Sequence, residues 1–187
     1  MQAIIEKAVN VLKRGGVILY PTDTVWGIGC DATNSEAVNK IIQIKKSPEN
    51  KSMIILLDSA DKLYYYVGYV PEIANRLIEV AVNPLTIVYP QARNIAENLT
   101  ANDGSIAIRI TKDKFCKSLI EKFKKPIVST SANISGGPVP KSFKDIPDII
   151  KQQMDYIVNL RQNEIAKSKP SGIIKIDEKN RISIIRK

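Results

Sequence analysis

The 187-residue sequence contains no histidine, and this absence excludes several kinds of active site. Serine–histidine and cysteine–histidine nucleophile pairs, imidazole acid–base catalysis and most zinc sites all need that side chain. Any catalysis by this chain must therefore use lysine, arginine, carboxylates, hydroxyls, backbone dipoles or a metal ion that the substrate brings.

Cysteine, aromatic residues and long apolar runs are also scarce. Cys30 and Cys116 are far apart and form no Cys-x-x-Cys pair, which is typical of reduced, buried thiols in a cytoplasmic protein. The longest uninterrupted apolar run, Met53 to Leu57, is too short to cross a bilayer, so we expect no membrane partner. Only 6% of the residues are aromatic, and no RNP-like pattern for stacking RNA bases is present.

Negative charge is in deficit, because 28 Lys and Arg residues outnumber 19 Asp and Glu residues and leave a formal net charge of +9. Such a surplus favours anionic partners, whether nucleotides, RNA or a lipid surface, without choosing among them. The length and the 44% hydrophobic content are those of an ordinary globular protein, and we expect one domain over residues 1–187.

Predicted strands and helices alternate along the chain, which indicates an α/β fold. Apolar residues at helical spacing predict helices at 5–12, 38–42, 59–66, 73–78, 115–123 and 143–153. Apolar runs predict strands at 17–20, 53–57, 85–89, 105–110, 126–128, 155–159, 172–176 and 181–186. Thr33 and Glu36 form a capping-box signature before the second helix. Because the last strands follow one another closely, we expect a single-domain twisted mixed sheet with flanking helices.

Two hydroxyl-rich turns, Pro21 to Gly29 and Ser129 to Gly137, each follow an apolar strand. In open α/β sheets, ligands bind beyond the carboxyl ends of strands. Hydroxyls, a carboxamide and small residues let backbone N–H groups approach phosphate or carboxylate oxygens, although the same residue types are ordinary turn formers. The two turns together predict a binding site for an anionic ligand.

Neither of the common phosphate-binding motifs is supported. Residues Gly27 to Ala32 match the letters of the G-x-G-x-x-A dinucleotide pattern, but the glycines lie well past the strand and before the helix cap. No Walker A sequence occurs, so phosphate binding of the P-loop kind is excluded.

Two cationic features leave alternatives open. Lys45 to Lys51 holds three lysines in seven residues, which is either a polyphosphate site or a solvated charge cluster on a loop. Arg109 lies in an otherwise apolar strand, where a buried guanidinium needs a partner. That partner is either a structural carboxylate or the carboxylate of a substrate.

Five segments occur in an order and spacing that resemble the threonylcarbamoyl-AMP synthase (YrdC-like) family. They are Pro21–Gly29, the Lys45 loop, Pro84–Thr86, Ile106–Arg109 and Ser129–Asn133. The resemblance runs from about residue 4 to the C-terminus and is to the short, single-domain form. It implies a YrdC-like (RibB-like) open α/β fold with a concave basic face.

The resemblance also implies an activity, that of an L-threonylcarbamoyladenylate synthase, which is a nucleotidyltransferase. The implied reaction joins L-threonine, bicarbonate and ATP, with Mg²⁺, into threonylcarbamoyl-AMP and pyrophosphate, for the threonylcarbamoyladenosine modification of tRNA. The implied partner is a tRNA-threonylcarbamoyl transfer complex, and binding of tRNA or double-stranded RNA is a further expectation. The alternative is a basic RNA-binding or nucleotide-binding YrdC-like paralogue without this activity.

Individual residue roles are implied in the same way. The catalytic residues implied are Lys45, Arg109 and Ser131. Those implied for threonine are Thr22, Thr24, Arg109 and Ser171. Those implied for ATP are Lys45, Lys51, Thr100, Ser129, Ser131, Asn133 and Arg186, and we expect no metal site held by the protein.

Two positions depart from the family pattern. Ser47 stands where the family usually has the arginine of a Lys-x-Arg element, so one phosphate-binding charge is missing unless Lys46 or Lys51 replaces it. The segment Ala81–Asn83 replaces the usual Trp-Pro-Gly before Pro84. The first departure motivates the alternative without this activity, and the second concerns structure.

Overall fold

The computed structural model describes residues 1–47, 53–164 and 170–187, and these residues form one nine-stranded sheet. Its strands are β1 (Ile18–Tyr20), β2 (Gly27–Gly29), β3 (Ile54–Leu57), β4 (Leu85–Tyr89), β5 (Ile106–Ile110), β6 (Ile127–Ser131), β7 (Tyr156–Ile157), β8 (Gly172–Ile176) and β9 (Ile182–Arg186). They lie in the order β7-β1-β2-β6-β3-β5-β4-β8-β9. The pairs β1–β7, β3–β5 and β4–β8 are parallel and the other neighbours are antiparallel, so the predicted mixed sheet is confirmed.

Helices flank the sheet, as predicted. They are α1 (Gln2–Lys13), α2 (Ser35–Lys45), α3 (Leu63–Tyr66), α4 (Glu72–Val80), α5 (Lys114–Phe123) and α6 (Asp148–Lys151). The last of them is shorter than the predicted helix at 143–153. Within the described ranges, no helix has both the length and the apolar character that crossing a membrane would require.

The sheet separates two apolar layers, because neighbouring residues of a strand point to opposite faces. Leu56 and Ile127 pack in the layer that contains α1 and α5. Ile55 and Val128 pack in the layer that contains α2. Full burial of an aliphatic side chain contributes roughly 1.5–3 kcal/mol, so both layers hold the sheet in place.

The structure corrects the predicted N-terminal cap of α2, in residues 31–37. The side-chain oxygen of Asn34 accepts hydrogen bonds from the N–H groups of Glu36 at 3.0 Å and Ala37 at 3.1 Å, so Asn34 is the N-cap of α2. The Thr33 hydroxyl donates instead to Asp31 Oδ1 at 2.7 Å. The predicted capping box is therefore wrong, because the carboxylate of Asp31 binds the Thr33 hydroxyl.

The glycines of the first turn belong to a strand, which the sequence did not predict. Gly27–Gly29 forms β2 and pairs with β1 and β6. A Cβ atom on Gly29 would lie 2.5 Å from the Val128 carbonyl oxygen and 2.7 Å from Tyr20 Cε1. Gly29 therefore serves close packing inside the sheet, and the G-x-G-x-x-A letters do not mark a dinucleotide site.

The second hydroxyl-rich segment also begins inside a strand. Ser129 pairs with Ile54 of β3, and Ser131 pairs with Gly27 of β2, so β6 extends beyond the predicted end at residue 128. The turn proper follows Ser131. Strand pairing thereby fixes the backbone that carries the hydroxyls of β6.

Candidate active site

The candidate site is a cavity of about 520 Å³ on the sheet face that α1 and α5 cover elsewhere. Residues paired across neighbouring strands lie on the same face. Leu56, which packs with α1 and α5, pairs with Arg109. Ile54, two residues earlier on the same face, pairs with Ser129. Arg109 and Ser129 therefore share this face and line the cavity where the helices do not cover it.

The cavity wall is cationic and rich in hydroxyls. Its charged members among the described residues are Lys45, Arg109 and Arg186, and no carboxylate stands among the described residues that line it. Its hydroxyl groups come from Thr24, Ser47, Ser129, Thr130, Ser131, Ser135 and Ser171. A concave surface of one charge sign concentrates ligands of the opposite sign, so the cavity suits an anion.

The first turn is held by its own hydroxyls. The Thr22 hydroxyl donates to the Val25 carbonyl at 2.8 Å and accepts from the Thr24 N–H at 3.0 Å. The hydroxyls of Thr22 and Thr24 are 2.9 Å apart, and Thr24 Oγ1 accepts from Arg109 Nη1 at 3.2 Å. Hydrogen bonds to Thr22 thus hold Thr24 in place, and Thr24 both lines the cavity and contacts Arg109.

Arg109 is buried, with 3% of its surface exposed. Its Nη2 lies 3.2 Å from Asp23 Oδ1, so the structure supplies the structural carboxylate that the sequence left open. The buried Nε has no hydrogen-bond partner among the described residues. Arg109 also lines the cavity, so its guanidinium is placed to bind an anionic group of a ligand, such as a carboxylate.

The loop after β6 is closed by side-chain hydrogen bonds. Ser131 Oγ donates to Asn133 Oδ1 at 2.5 Å, and Asn133 Nδ2 donates to the Gly137 carbonyl at 2.7 Å. Lys45 Nζ donates to the carbonyls of Ser131 and Asn133, the latter at 2.6 Å. These bonds fix the wall of the cavity before a ligand arrives.

Arg186 enters the cavity from the edge strand β9. Its Nε donates to the Ser171 carbonyl at 2.9 Å, and its Nη2 lies 3.4 Å from the Ser171 hydroxyl. That hydroxyl is 2.8 Å from Thr86 Oγ1, which is fully buried. Partial burial, and after it the positive charge of Arg109, lower the pKa of Arg186. The hydrogen bonds of Ser171 tie the edge strand β9 to β4.

The structure brings together most of the residues singled out from the sequence. Those that line the cavity are Thr24, Lys45, Arg109, Ser129, Ser131, Asn133, Ser171 and Arg186. Thr22 is not among them, but its hydroxyl is hydrogen-bonded to that of Thr24. Lys51 lies outside the described residues. The roles of these residues in binding and catalysis stay predictions.

Thr100 is not brought to the cavity. It follows the 3₁₀ turn Glu97–Leu99, and its hydroxyl donates to the Glu97 carbonyl at 2.7 Å. It is absent from the described residues that line the cavity. The structure therefore gives no support to its implied contact with ATP.

Among the residues near the cavity that received no role from the sequence, Asp23 pairs with Arg109 and Thr86 contacts Ser171. Both lie in segments that carried the resemblance. Their partners are remote in the sequence, so only the pairing of the strands shows the contacts.

As for metals, the described ranges contain no group of three or more His, Cys, Asp or Glu side chains placed to hold an ion.

Comparisons with known proteins agree with the resemblance. Residues 10–187 match the Sua5/YciO/YrdC family model, whose description reads telomere recombination. A threonylcarbamoyl-AMP synthase of Pseudoalteromonas translucida (strain TAC 125) is 35% identical over 161 residues, which are 84% of this chain and 86% of that relative. Another, of Hahella chejuensis (strain KCTC 2396), is 34% identical over 170 residues, or 90% of this chain and 91% of that relative.

Solved structures share the fold. P. abyssi Sua5 complexed with L-threonine superposes with a TM-score of 0.85 at 26% identity, over 97% of this chain and 53% of that one. This chain thus spans about half the length of that Sua5 structure. E. coli YciO superposes with a TM-score of 0.86 at 24% identity, over 100% of this chain and 90% of that one, and supports the fold alone.

Proposed function

Because the chain belongs to the Sua5/YciO/YrdC family, we propose that it is an L-threonylcarbamoyladenylate synthase, a nucleotidyltransferase that uses L-threonine, bicarbonate and ATP. The observation that carries this proposal is the meeting of Lys45, Arg109 and Arg186 with the hydroxyls of both turns in one cavity. The relatives named threonylcarbamoyl-AMP synthase favour this activity over a paralogue that lacks it.

Arg109 is proposed to bind the threonine carboxylate. Its Nη1 and Nη2 are oriented by Thr24 and Asp23, and the residue lines the cavity. A guanidinium held in this way loses little conformational freedom when a carboxylate arrives. Thr22, Thr24 and Ser171 complete the proposed threonine subsite. The P. abyssi Sua5 structure with L-threonine supports the choice of amino acid.

ATP is proposed to lie against β6 and β9. Ser129, Ser131 and Asn133 offer polar groups to the cavity, and Arg186 offers a cation. Lys45 and Arg186 would neutralise negative charge on the triphosphate, and Lys51 is proposed to add to it. Mg²⁺ is proposed to arrive bound to the triphosphate, as part of the substrate.

The reaction itself asks mainly for positioning and charge neutralisation. The threonine amine and bicarbonate give a carbamate and water. A carbamate oxygen then attacks the α-phosphorus of ATP. The bond between this phosphorus and the oxygen that bridges it to the β-phosphate breaks, and pyrophosphate leaves. Oriented reactants gain roughly 7–11 kcal/mol in the best cases, and fixed cations stabilise the charge that develops on phosphate oxygens. A histidine-free site of lysine, arginine and hydroxyls meets both needs.

The wider context is also a proposal. Residues 1–187 are proposed to act as a single YrdC-like domain in the cytoplasm. The product is proposed to pass to a tRNA-threonylcarbamoyl transfer complex, which uses it to modify tRNA. The net charge of +9 supports an additional affinity for tRNA or double-stranded RNA.

The activity is tested by incubating the protein with ATP, Mg²⁺, labelled bicarbonate and L-threonine. We expect a labelled adenylate and pyrophosphate, and neither when threonine is omitted. If the protein binds RNA with a steep salt dependence, fails to bind ATP and forms no adenylate, it is an RNA-binding paralogue and the proposal is wrong.

A further inference from the structure

The C-terminal turn of α2 lies against the loop that follows β6, and one residue makes the contact from both its side chain and its backbone. Lys45 Nζ donates to the carbonyls of Ser131 and Asn133, the latter at 2.6 Å. The Lys45 carbonyl accepts from the Ser135 N–H at 2.8 Å. These three bonds reach successive points along the loop, so Lys45 holds both its beginning and its middle.

Lys45 is buried, so its ammonium depends on these hydrogen bonds. Only 4% of its surface is exposed, although an ammonium is strongly hydrated in water and costly to bury without acceptors. Ser131 is the last residue of β6, where the regular pairing of the sheet ends. Its carbonyl accepts from the ammonium and also from the Asn133 N–H at 2.9 Å, and the Asn133 carbonyl accepts from the ammonium as well. Removing the ammonium would leave both carbonyls without this donor.

We propose that Lys45 is a positioning residue, whose ammonium holds the loop from Ser131 to Gly137 in the shape that presents Ser131 and Asn133 to the ligand. The loop's internal bonds depend on that shape, since Ser131 Oγ meets Asn133 Oδ1 and Asn133 Nδ2 meets the Gly137 carbonyl. The role is distinct from the ATP contact that the family resemblance implies. Its kinetic consequence rests on the proposed function, but the shape of the loop does not.

Amide hydrogen exchange in the unliganded protein tests the clamp directly. Lys45→Met keeps an apolar stem of similar length and removes the ammonium. We expect the amides of Asn133, Ser135 and Gly137 to exchange at least about tenfold faster than in the wild type. Lys40→Met is the matched control, because Lys40 also lies on α2 and donates to a carbonyl, that of Gly15 at 2.9 Å, away from the cavity. It should leave these amides unchanged.

Unchanged exchange in Lys45→Met would overturn the clamp and leave Lys45 as a ligand contact only. Should Lys45→Met fail to fold, Lys45→Gln decides the matter, because its amide can still donate but is shorter and neutral. Intermediate protection of the three amides supports the clamp, and wild-type protection contradicts it.

A double-mutant cycle with Ser131→Ala extends the test to turnover. In the wild-type background, loss of the Ser131 hydroxyl should lower kcat. In Lys45→Met, where the loop has lost its shape, the same loss should lower kcat by a smaller factor. Equal factors in both backgrounds contradict the positioning role. If the protein forms no adenylate at all, the proposed function fails while the exchange result still stands.

Discussion

Arg186 and Arg109 line the same cavity, although two strands separate β9 from β5 in the sheet. Partial burial, and to a smaller extent the positive charge of Arg109, lower the pKa of Arg186. Two guanidinium groups that share a cavity raise the free energy of the unliganded protein. An anion between them relieves this repulsion, so the pair favours a ligand with several negative charges.

Replacing Arg109 by lysine should weaken threonine binding. Lysine keeps the charge but cannot bind Thr24, Asp23 and a carboxylate at once from one planar group. We expect the Kd for L-threonine to rise about 10- to 100-fold, which corresponds to about 1.4–2.8 kcal/mol. Isothermal titration calorimetry measures this Kd. Arg181→Lys is the control, because Arg181 is exposed and bonds Asp177 outside the cavity. Wild-type threonine affinity in Arg109→Lys would contradict the assignment.

Replacing Arg186 by glutamine should weaken ATP binding in a salt-dependent way. We expect about a tenfold loss of ATP affinity at about 50 mM NaCl and a smaller loss at about 300 mM, because salt screens a partly exposed charge. Lys187→Gln lowers the net charge equally but changes a residue that does not line the cavity. The prediction fails if both variants lose the same affinity.

Placing an arginine at position 47 should strengthen ATP use. Ser47 lines the cavity, so a side chain at this position can face the phosphates. We expect Ser47→Arg to raise kcat/KM for ATP by about 5- to 10-fold, a gain of about 1 kcal/mol, in an adenylate-formation assay. Ser142→Arg adds the same charge outside the cavity and should not do so. If the two variants behave alike, added charge alone explains the gain.

Gly29 and Gly27 form a matched pair for stability. A Cβ at position 29 would lie 2.5 Å from the Val128 carbonyl oxygen, whereas a Cβ at position 27 would meet its nearest atom, Ser129 Oγ, at 3.4 Å. We expect Gly29→Ala to lower the free energy of unfolding by about 1–3 kcal/mol and Gly27→Ala by less than about 1 kcal/mol. Urea unfolding measures both. Equal losses would mean that the strands adjust around either side chain.

Acid sensitivity should include a contribution from Asp103. Hydrogen bonds from Lys175 and Ser105 lower the pKa of this carboxyl from 3.8 to about 2. The carboxylate therefore stabilises the fold above about pH 4, and that stability is lost as the pH falls towards about 2. Because the side chain is half exposed, we expect less than about 1 kcal/mol. Asp103→Asn should flatten the pH dependence of thermal unfolding between these values, and Glu79→Gln should not. An unchanged profile in Asp103→Asn would contradict the prediction.

Local pattern predicted most of the elements. Helical spacing of Ile5, Ala8, Val9 and Leu12 gave α1, because these side chains form one buried face. The apolar runs likewise gave the strand that carries Arg109 and the first part of β6, although β6 continues through Ser129, which was predicted to lie in a turn. Local pattern failed at Gly27–Gly29 and at the cap of α2. There, the packing of Tyr20 and the carboxylate of Asp31 outweigh the ordinary preferences of glycine and threonine.

The sequence by itself determined the α/β class, the cationic, histidine-free chemistry and the segments that carry the site, because these depend on composition and on short-range periodicity. Only the tertiary structure decided which of those segments meet. The order of the strands places Arg186 of β9 beside Ser171 and in the same cavity as Arg109. The tertiary structure also pairs Asp23 with Arg109 and leaves Thr100 outside the cavity. The physical reason is that strand order and register are set by the burial of both sheet faces at once, and that is a property of the whole chain.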